Sequence, residues 1–191
     1  IKNWKRVLRE LEEGKERAIF FKNGTWEVNL EVKKAILKAF KESPTVTYRD
    51  FFDKEDLLPR EFTKEDAVRM VPRGSSIRKG SFVGKNVVIM PPSFVNVGAF
   101  IGEDTMIDSH VLVGSCAQIG KRVHLSAGVQ IGGVLEPIGE KPVIIEDDVF
   151  VGAGSVIVEG VHVKKGAVIA PGVSLSKALV IFDATTGSFL E

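Results

Sequence analysis

From Ile77 onward the chain carries an aliphatic residue at every sixth position. Ile77, Val83, Ile89, Val95, Ile101, Ile107, Val113, Ile119, Leu125 and Ile131 follow one another without a miss. The register breaks over Gly133 to Ile144 and resumes at Ile145, Val151, Ile157, Val163, Ile169, Leu175 and Ile181. A second lane, four residues after these positions, holds small or β-branched residues such as Val87, Ala99, Thr105, Val111, Ala117 and Val129. An α-helix cannot keep a six-residue repeat on one face, because its period is 3.6. A flat antiparallel strand alternates at two and has no use for a small-residue lane. The pattern instead predicts a solenoid that turns a corner every six residues, with three short strands in a coil of about 18 residues. Several of the aliphatics are followed by glycine (Gly84, Gly102, Gly114, Gly120 and Gly132), where the backbone turns and little bulk fits.

Upstream the pattern differs, and composition shifts near Val71-Pro72. Helical spacing predicts a first helix from Lys2 to Glu13, stopped by Gly14, and a second from Leu30 to Phe40 with Val32, Ala35, Ile36, Ala39 and Phe40 on its apolar face. Between them, Arg17 to Phe21 and Thr25 to Val28 flank Lys22-Asn23-Gly24, a hairpin-like turn. Residues 43–64 show no convincing period, and Pro44 and Pro59 punctuate them. The expected organisation is a small N-terminal α/β domain over residues 1–70 and a parallel solenoid over 71–191, with a loop expelled at 132–144. A solenoid gains nothing from breaking its own ladder, so that loop is a candidate lid or substrate wall.

Charge narrows the function classes. Twenty-six basic and 25 acidic residues leave a formal net charge of +1, against the strong basic excess of a nucleic-acid module. A single cysteine, Cys116, forbids an intrachain disulfide framework and fits a reducing cytoplasm. No apolar run reaches the roughly 18 residues a membrane span needs, and the N-terminus carries no signal-type apolar stretch. The expectation is a cytoplasmic protein with no membrane or nucleic-acid partner. The absence of an initiator Met leads us to expect residues ahead of Ile1.

A solenoid repeat specifies architecture and leaves chemistry open. Local segments are more specific: Met90-Pro-Pro-Ser-Phe-Val-Asn-Val-Gly-Ala99, Asp104-Thr-Met-Ile-Asp108, Val113-Gly-Ser-Cys-Ala-Gln-Ile-Gly-Lys121, Val123-His-Leu-Ser126, Ile131-Gly-Gly-Val-Leu-Glu-Pro137 and Ile144-Ile-Glu-Asp147. Together with Trp26 to Phe40 and Val68-Arg-Met-Val-Pro72, they resemble the tetrahydrodipicolinate N-succinyltransferase family of lysine and diaminopimelate synthesis. The resemblance implies a left-handed parallel β-helix, mainly β, that assembles as a homotrimer. It implies succinyl-CoA as co-substrate, no metal, and a dicarboxylate acceptor whose amine is acylated.

The family's residues map onto this chain position by position. Asp108 matches a substrate-contacting aspartate and is the candidate for orienting and deprotonating the amine. Arg69, before Met-Val-Pro, matches a substrate-contacting arginine whose fork suits a carboxylate. Glu136, in the diagnostic Gly-Gly-Val-Leu-Glu-Pro segment, is a third substrate candidate, and Gly128, Ala153, Gly154 and Lys177 are the candidate CoA contacts. The tetrahedral oxyanion needs donors, most readily backbone N–H groups at tight glycine turns. His124 is either a base or a structural histidine bonded between coils. His162 is expected to face solvent, and Lys164 and Lys165, with Lys177, are candidates for the CoA phosphates.

Two departures stand out. The family's Gly-Ala-Arg-Ser-Glu is here Gly152-Ala-Gly-Ser-Val156, which removes a glutamate associated with the aspartate. The family's Asp-Thr-Trp is Asp108-Ser-His110, so His110 is either an alternative base or a filler of the tryptophan's space. Val156 keeps an N-acetyltransferase on the same acceptor as an alternative; a non-catalytic assembly subunit and a sugar-nucleotide acyltransferase are others. A zinc carbonic anhydrase of this fold needs three clustered histidines, and His110, His124 and His162 show no His-x4-His spacing. After Asp183 to Gly187 the family continues with further strands, so the expectation is either a shorter version or a missing final segment.

Overall fold

The structure, a computed structural model, describes residues 3–190. Its N-terminal part opens with α1 (Trp4–Glu12), capped by the Asn3 side chain, which accepts from the Lys5 N–H. The predicted start at Lys2 lies outside the described residues. Gly14, at φ 70°, follows the helix end in the left-handed conformation that suits glycine. β1 (Ile19–Lys22) and β2 (Thr25–Val28) pair antiparallel around Asn23-Gly24, both at positive φ. α2 (Leu30–Glu42) starts at Asn29, whose side chain accepts from the Val32 N–H. Trp4, Val7, Leu8 and Leu11 of α1 and Val32, Ala35, Ile36 and Ala39 of α2 form a second, smaller core.

Residues 43–64, without visible period in the sequence, contain a hairpin of β3 (Thr45–Tyr48) and β4 (Phe51–Lys54) and a 3-10 turn at Glu55–Leu57. The turn between the strands places Arg49 at φ 54° without any glycine, which removed the usual sequence signal.

The rest is a parallel β-solenoid with three faces. The first stacks six two-residue strands, Arg69–Met70, Val88–Ile89, Met106–Ile107, His124–Leu125, Phe150–Val151 and Val168–Ile169. The second stacks six from Ser76–Ile77 to Ser174–Leu175, and the third stacks five from Phe82–Val83 to His162–Val163. In each strand the second residue points inward, so Ile101 pairs with Ile119 and Ile107 with Leu125, 18 residues apart. Those aliphatics and the second lane make one continuous buried core. Ile119 pairs with Ile145, 26 apart, so the loop adds eight residues to that coil. Ile181, read from the hexads as another inward position, is a correction. It belongs to an antiparallel hairpin with Ser188–Leu190 and is exposed, having left the parallel ladder.

The N-terminal part packs on the third face and on the corner between the second and third faces. Val97 and Cys116 of that corner belong to its core, and Leu8 and Ile36 approach Gly80 and Gly98 so closely that no side chain would fit there. The corner between the first and second faces is left clear of it.

Candidate active site

That clear corner is built from four-residue turns, whose third residue adopts the left-handed conformation. His110 (φ 62°), Gly128 (72°), Gly154 (69°) and Gly172 (70°) stack there on successive coils. Their N–H groups are consumed by the stack itself: His110 donates to Pro92 O, Gly128 to Ser109 O, Gly154 to Ala127 O and Gly172 to Ala153 O. The glycine N–H groups expected as oxyanion donors are therefore engaged. The preceding turn residues, Ala127 and Ala153, are exposed, and among the described residues their N–H groups have no acceptor. These are donors that sequence reasoning did not single out as a set; Ala127 and Ala153 stand 26 residues apart, the 18 of a regular coil plus the eight of the expelled loop. Nothing lies within 4 Å of a Cβ built on Gly154 or Gly172, and a Cβ on Gly128 would reach only Gly154. The left-handed positions of this corner thus form a strip of bare backbone above His110, flanked by the small side chains of Ala127 and Ala153.

Asp108 opens the turn at the foot of this strip. It is half-buried, and its Oδ1 accepts from the Ser109 N–H at 2.7 Å. Its Oδ2 has no hydrogen-bond partner among the described residues. The Asp108 carbonyl accepts from Ser93 Oγ at 2.9 Å, which ties the turn to the coil below. Arg69 is exposed on the first face, two strands below Met106, or about 10 Å along the stack. Asp108, Gly128, Ala153 and Gly154 share one corner, and Arg69 stands on the face leading into it. Val156, outward on the second face and paired with Gln130, flanks the same strip.

Glu136 and Lys177 are placed elsewhere, at the corner between the second and third faces. They line a cleft of about 360 Å³ with Gly132, Gly133, Glu140 and Glu159. Lys177 Nζ lies 3.5 Å from Glu140 Oε2, and its N–H donates to Glu159. Three glutamates against one lysine in its lining make this cleft acidic. The expelled loop that supplies Glu136 is anchored inward: Val134 N donates to Ser115 O at 3.1 Å, and Leu135 packs on the N-terminal core. Lys164 and Lys165 lie at the third corner, between the third and first faces, so the three lysines proposed for phosphates do not converge.

The histidines also separate. His110 is exposed at the first corner, while His124 lies on the first face with its ring 5.1 Å from that of Phe150. The His124 backbone N–H donates to Val149 O of the next coil, and its ring makes no hydrogen bond among the described residues but packs on Phe150 of that coil. His162, expected simply to face solvent, is on the third face with Nε2 2.7 Å from Glu146 Oε1. No group of three or more His, Cys, Asp or Glu side chains placed to hold a metal occurs among the described residues.

Residues 98–133 match the family model for the bacterial transferase hexapeptide (six repeats), and residues 142–177 match the hexapeptide repeat of succinyl-transferase. Fold and matches together define a hexapeptide-repeat transferase. Similarity to individual proteins runs well beyond the repeats. The chain is 48% identical over 190 residues to the 2,3,4,5-tetrahydropyridine-2,6-dicarboxylate N-succinyltransferase of Herminiimonas arsenicoxydans, covering 95% of this chain and 69% of that protein. It is 47% identical to the enzyme of the same name from Paraburkholderia xenovorans, covering 95% and 68%. With that of Pelagibacter ubique it shares 52% identity over 163 residues, covering 79% and 58%. The chain belongs to the 2,3,4,5-tetrahydropyridine-2,6-dicarboxylate N-succinyltransferase family. Among its described residues no helix is long and apolar enough to cross a membrane.

Proposed function

We propose that the chain transfers the succinyl group of succinyl-CoA to the amine of ring-opened tetrahydrodipicolinate, 2-amino-6-oxopimelate, in lysine and diaminopimelate synthesis. The observation that carries this reading is the first corner, where the free Asp108 carboxylate oxygen stands at the foot of an open strip with unengaged N–H donors. Asp108 accepts the proton that the ammonium must lose before it can attack. The amine nitrogen then bonds to the thioester carbon, the C–S bond breaks, and the CoA thiolate leaves and is protonated. The Ala127 or Ala153 N–H faces the developing oxyanion, a kind of interaction whose loss costs about 3 kcal/mol in comparable sites. Arg69 holds one carboxylate of the acceptor in a two-point ion pair. The pantetheine arm runs along Gly128, Ala153 and Gly154, where no side chain obstructs it.

The reading includes a cytoplasmic homotrimer. Its support is the separation of the candidate residues: Glu136 and Lys177 occupy a different corner from Asp108 and Gly154 in one copy. A site that uses both sets requires two solenoids side by side, with the acyl-CoA in the cleft between them. In that arrangement Lys177 must leave Glu140 to meet a phosphate.

The test is release of free CoA thiol with tetrahydrodipicolinate as acceptor, comparing succinyl-CoA with acetyl-CoA. Strong preference for succinyl-CoA is expected. Preference for acetyl-CoA would keep the acceptor and replace the donor, giving Val156 a role in that choice. Intact protein without turnover on either donor would overturn the acceptor assignment.

A further inference from the structure

The third corner, between the third and first faces, holds a cleft of about 330 Å³ that the acyl-transfer reading does not use. Its wall toward the N-terminal part is Arg17 and Trp26; its opposite wall includes Phe100 and Ile144 of the third face. The Arg17 guanidinium lies over the Phe100 ring, 3.8 Å from the centroid, and 5.9 Å from the Trp26 centroid. Its Nε donates to Gln118 Oε1 at 2.9 Å. Its two terminal nitrogens have no acceptor among the described residues, and no carboxylate lies within ion-pair distance. Burial pushes the Arg17 pKa down to about 10, against a weak opposing pull from Asp147. A largely buried guanidinium with four of its five N–H donors unused is costly unless something pairs with it.

The nearby carboxylates are already committed. Glu146 accepts from His162 and from the Lys165 N–H, and Asp147 Oδ1 accepts from the Lys121 N–H. Lys165 stands at the rim, its Nζ 3.7 Å from Asp148 in a loose, exposed pair. The unmet demand in the cleft is therefore for an anion. The surface around it is mainly apolar, and the volume falls within the range of small-molecule sites. A planar anion would match the free edge of the guanidinium, and a hydrocarbon body would cover Trp26 and Ile144.

We propose that this cleft is a binding site for a small organic carboxylate with an apolar body, held through Arg17 and separate from the Asp108 corner. The site stands whether or not the acyl-transfer reading does.

Trp26 supplies the readout. The full chain is titrated with 3-phenylpropionate, with its neutral amide 3-phenylpropanamide, and with inorganic phosphate, while tryptophan fluorescence is followed. A saturable change is expected with the carboxylate, at least tenfold weaker with the amide or with phosphate, and absent in Trp26→Phe when binding is read optically. Calorimetry on Arg17→Lys, which keeps the charge but loses the fork, is expected to show a several-fold weaker affinity. No saturation in the wild-type protein, equal binding of the amide, or tighter binding of phosphate would each overturn the proposal. Displacement of the carboxylate by CoA would also overturn it, by assigning the ligand to the acyl-transfer corner. The wild-type arms require no variant to fold.

Discussion

Lys33 of α2, fully buried, donates from Nζ to the backbone carbonyl of Glu140 at 2.5 Å and so fastens the expelled loop to the N-terminal part. The loop is held on its other side by Val134 and by the Lys177–Glu140 pair, so it is a fixed wall as far as one copy is concerned. Lys33→Met removes the fastening while filling similar space. A hydrogen bond from a charged donor contributes about 1.5–3 kcal/mol, so local opening of the loop should rise about tenfold or more. Cleavage after Glu140 by a Glu-specific protease, which follows the open population, measures it. An unchanged cleavage rate would mean that Val134, Leu135 and the Lys177–Glu140 pair hold the loop without Lys33.

The same lysine gives a pH signature. Burial holds the Lys33 pKa below its usual value, with Cys116 and Glu140 opposing the shift. Between the lowered folded value and the unfolded value of about 10.4, the unfolded chain binds the extra proton, so stability rises with pH across that window. Urea midpoints of the wild type relative to Lys33→Met should therefore move upward from pH 8 to pH 10. A downward movement would contradict the sign of the shift.

Asp108→Asn tests the proton acceptor without disturbing the turn, because an amide oxygen can still accept from the Ser109 N–H. Loss of general-base action should lower kcat by about 10²- to 10⁴-fold, with a smaller change in acceptor KM. CoA-thiol release under saturating succinyl-CoA is the measurement. A loss below tenfold would move the role to His110 or His124.

The six-residue register was legible because every coil repeats the same steric demand. Ile101, Ile107 and Val113 each meet a counterpart 18 residues on. The same count, applied to turn residues, already aligns His110 with Gly128 and Gly154 with Gly172, and it puts Lys177 on another corner. Ile181 misled because an aliphatic at the sixth position looks the same in a coil and in the hairpin that follows the last one. The loop's docking could not be read, since Lys33 on a helix looks like a solvated lysine until the eight inserted residues fold over it. The β3–β4 hairpin was hidden by a turn without glycine. The Arg17 cleft depends on contacts across about a hundred residues, which no local pattern contains.

Two glycine substitutions separate the backbone's needs from those of the cofactor strip. A Cβ at Gly154 meets nothing, so Gly154→Ala should cost only the left-handed backbone penalty of about 1–2 kcal/mol. Its methyl would nonetheless stand on the proposed pantetheine path, and the KM for succinyl-CoA should rise. At Gly114 a Cβ would lie 2.5 Å from Gly133 Cα, where the loop leaves the coil, and Gly114→Ala should lower the melting temperature more than Gly154→Ala does. Equal KM for succinyl-CoA in wild type and Gly154→Ala would remove the strip from the CoA site.

Cys116 is the chain's one cysteine, and its place at the second corner decides its chemistry. It is fully buried beneath α2, and burial pushes the thiol up to about 12 despite the pull of Lys33. At pH 8 only about one thiol in ten thousand is then ionised, far fewer than for an ordinary cysteine near 8.5. A disulfide reagent such as 5,5′-dithiobis(2-nitrobenzoate) should therefore leave the native protein untouched and modify one thiol per chain once it is unfolded. The same silence keeps the CoA-thiol assay free of background from the protein. Cys116→Ala should cost about 1 kcal/mol through lost packing and leave turnover intact, because direct attack of the amine on the thioester needs no thiol. Rapid labelling of the folded chain, with loss of turnover in Cys116→Ala, would return the residue to the chemistry.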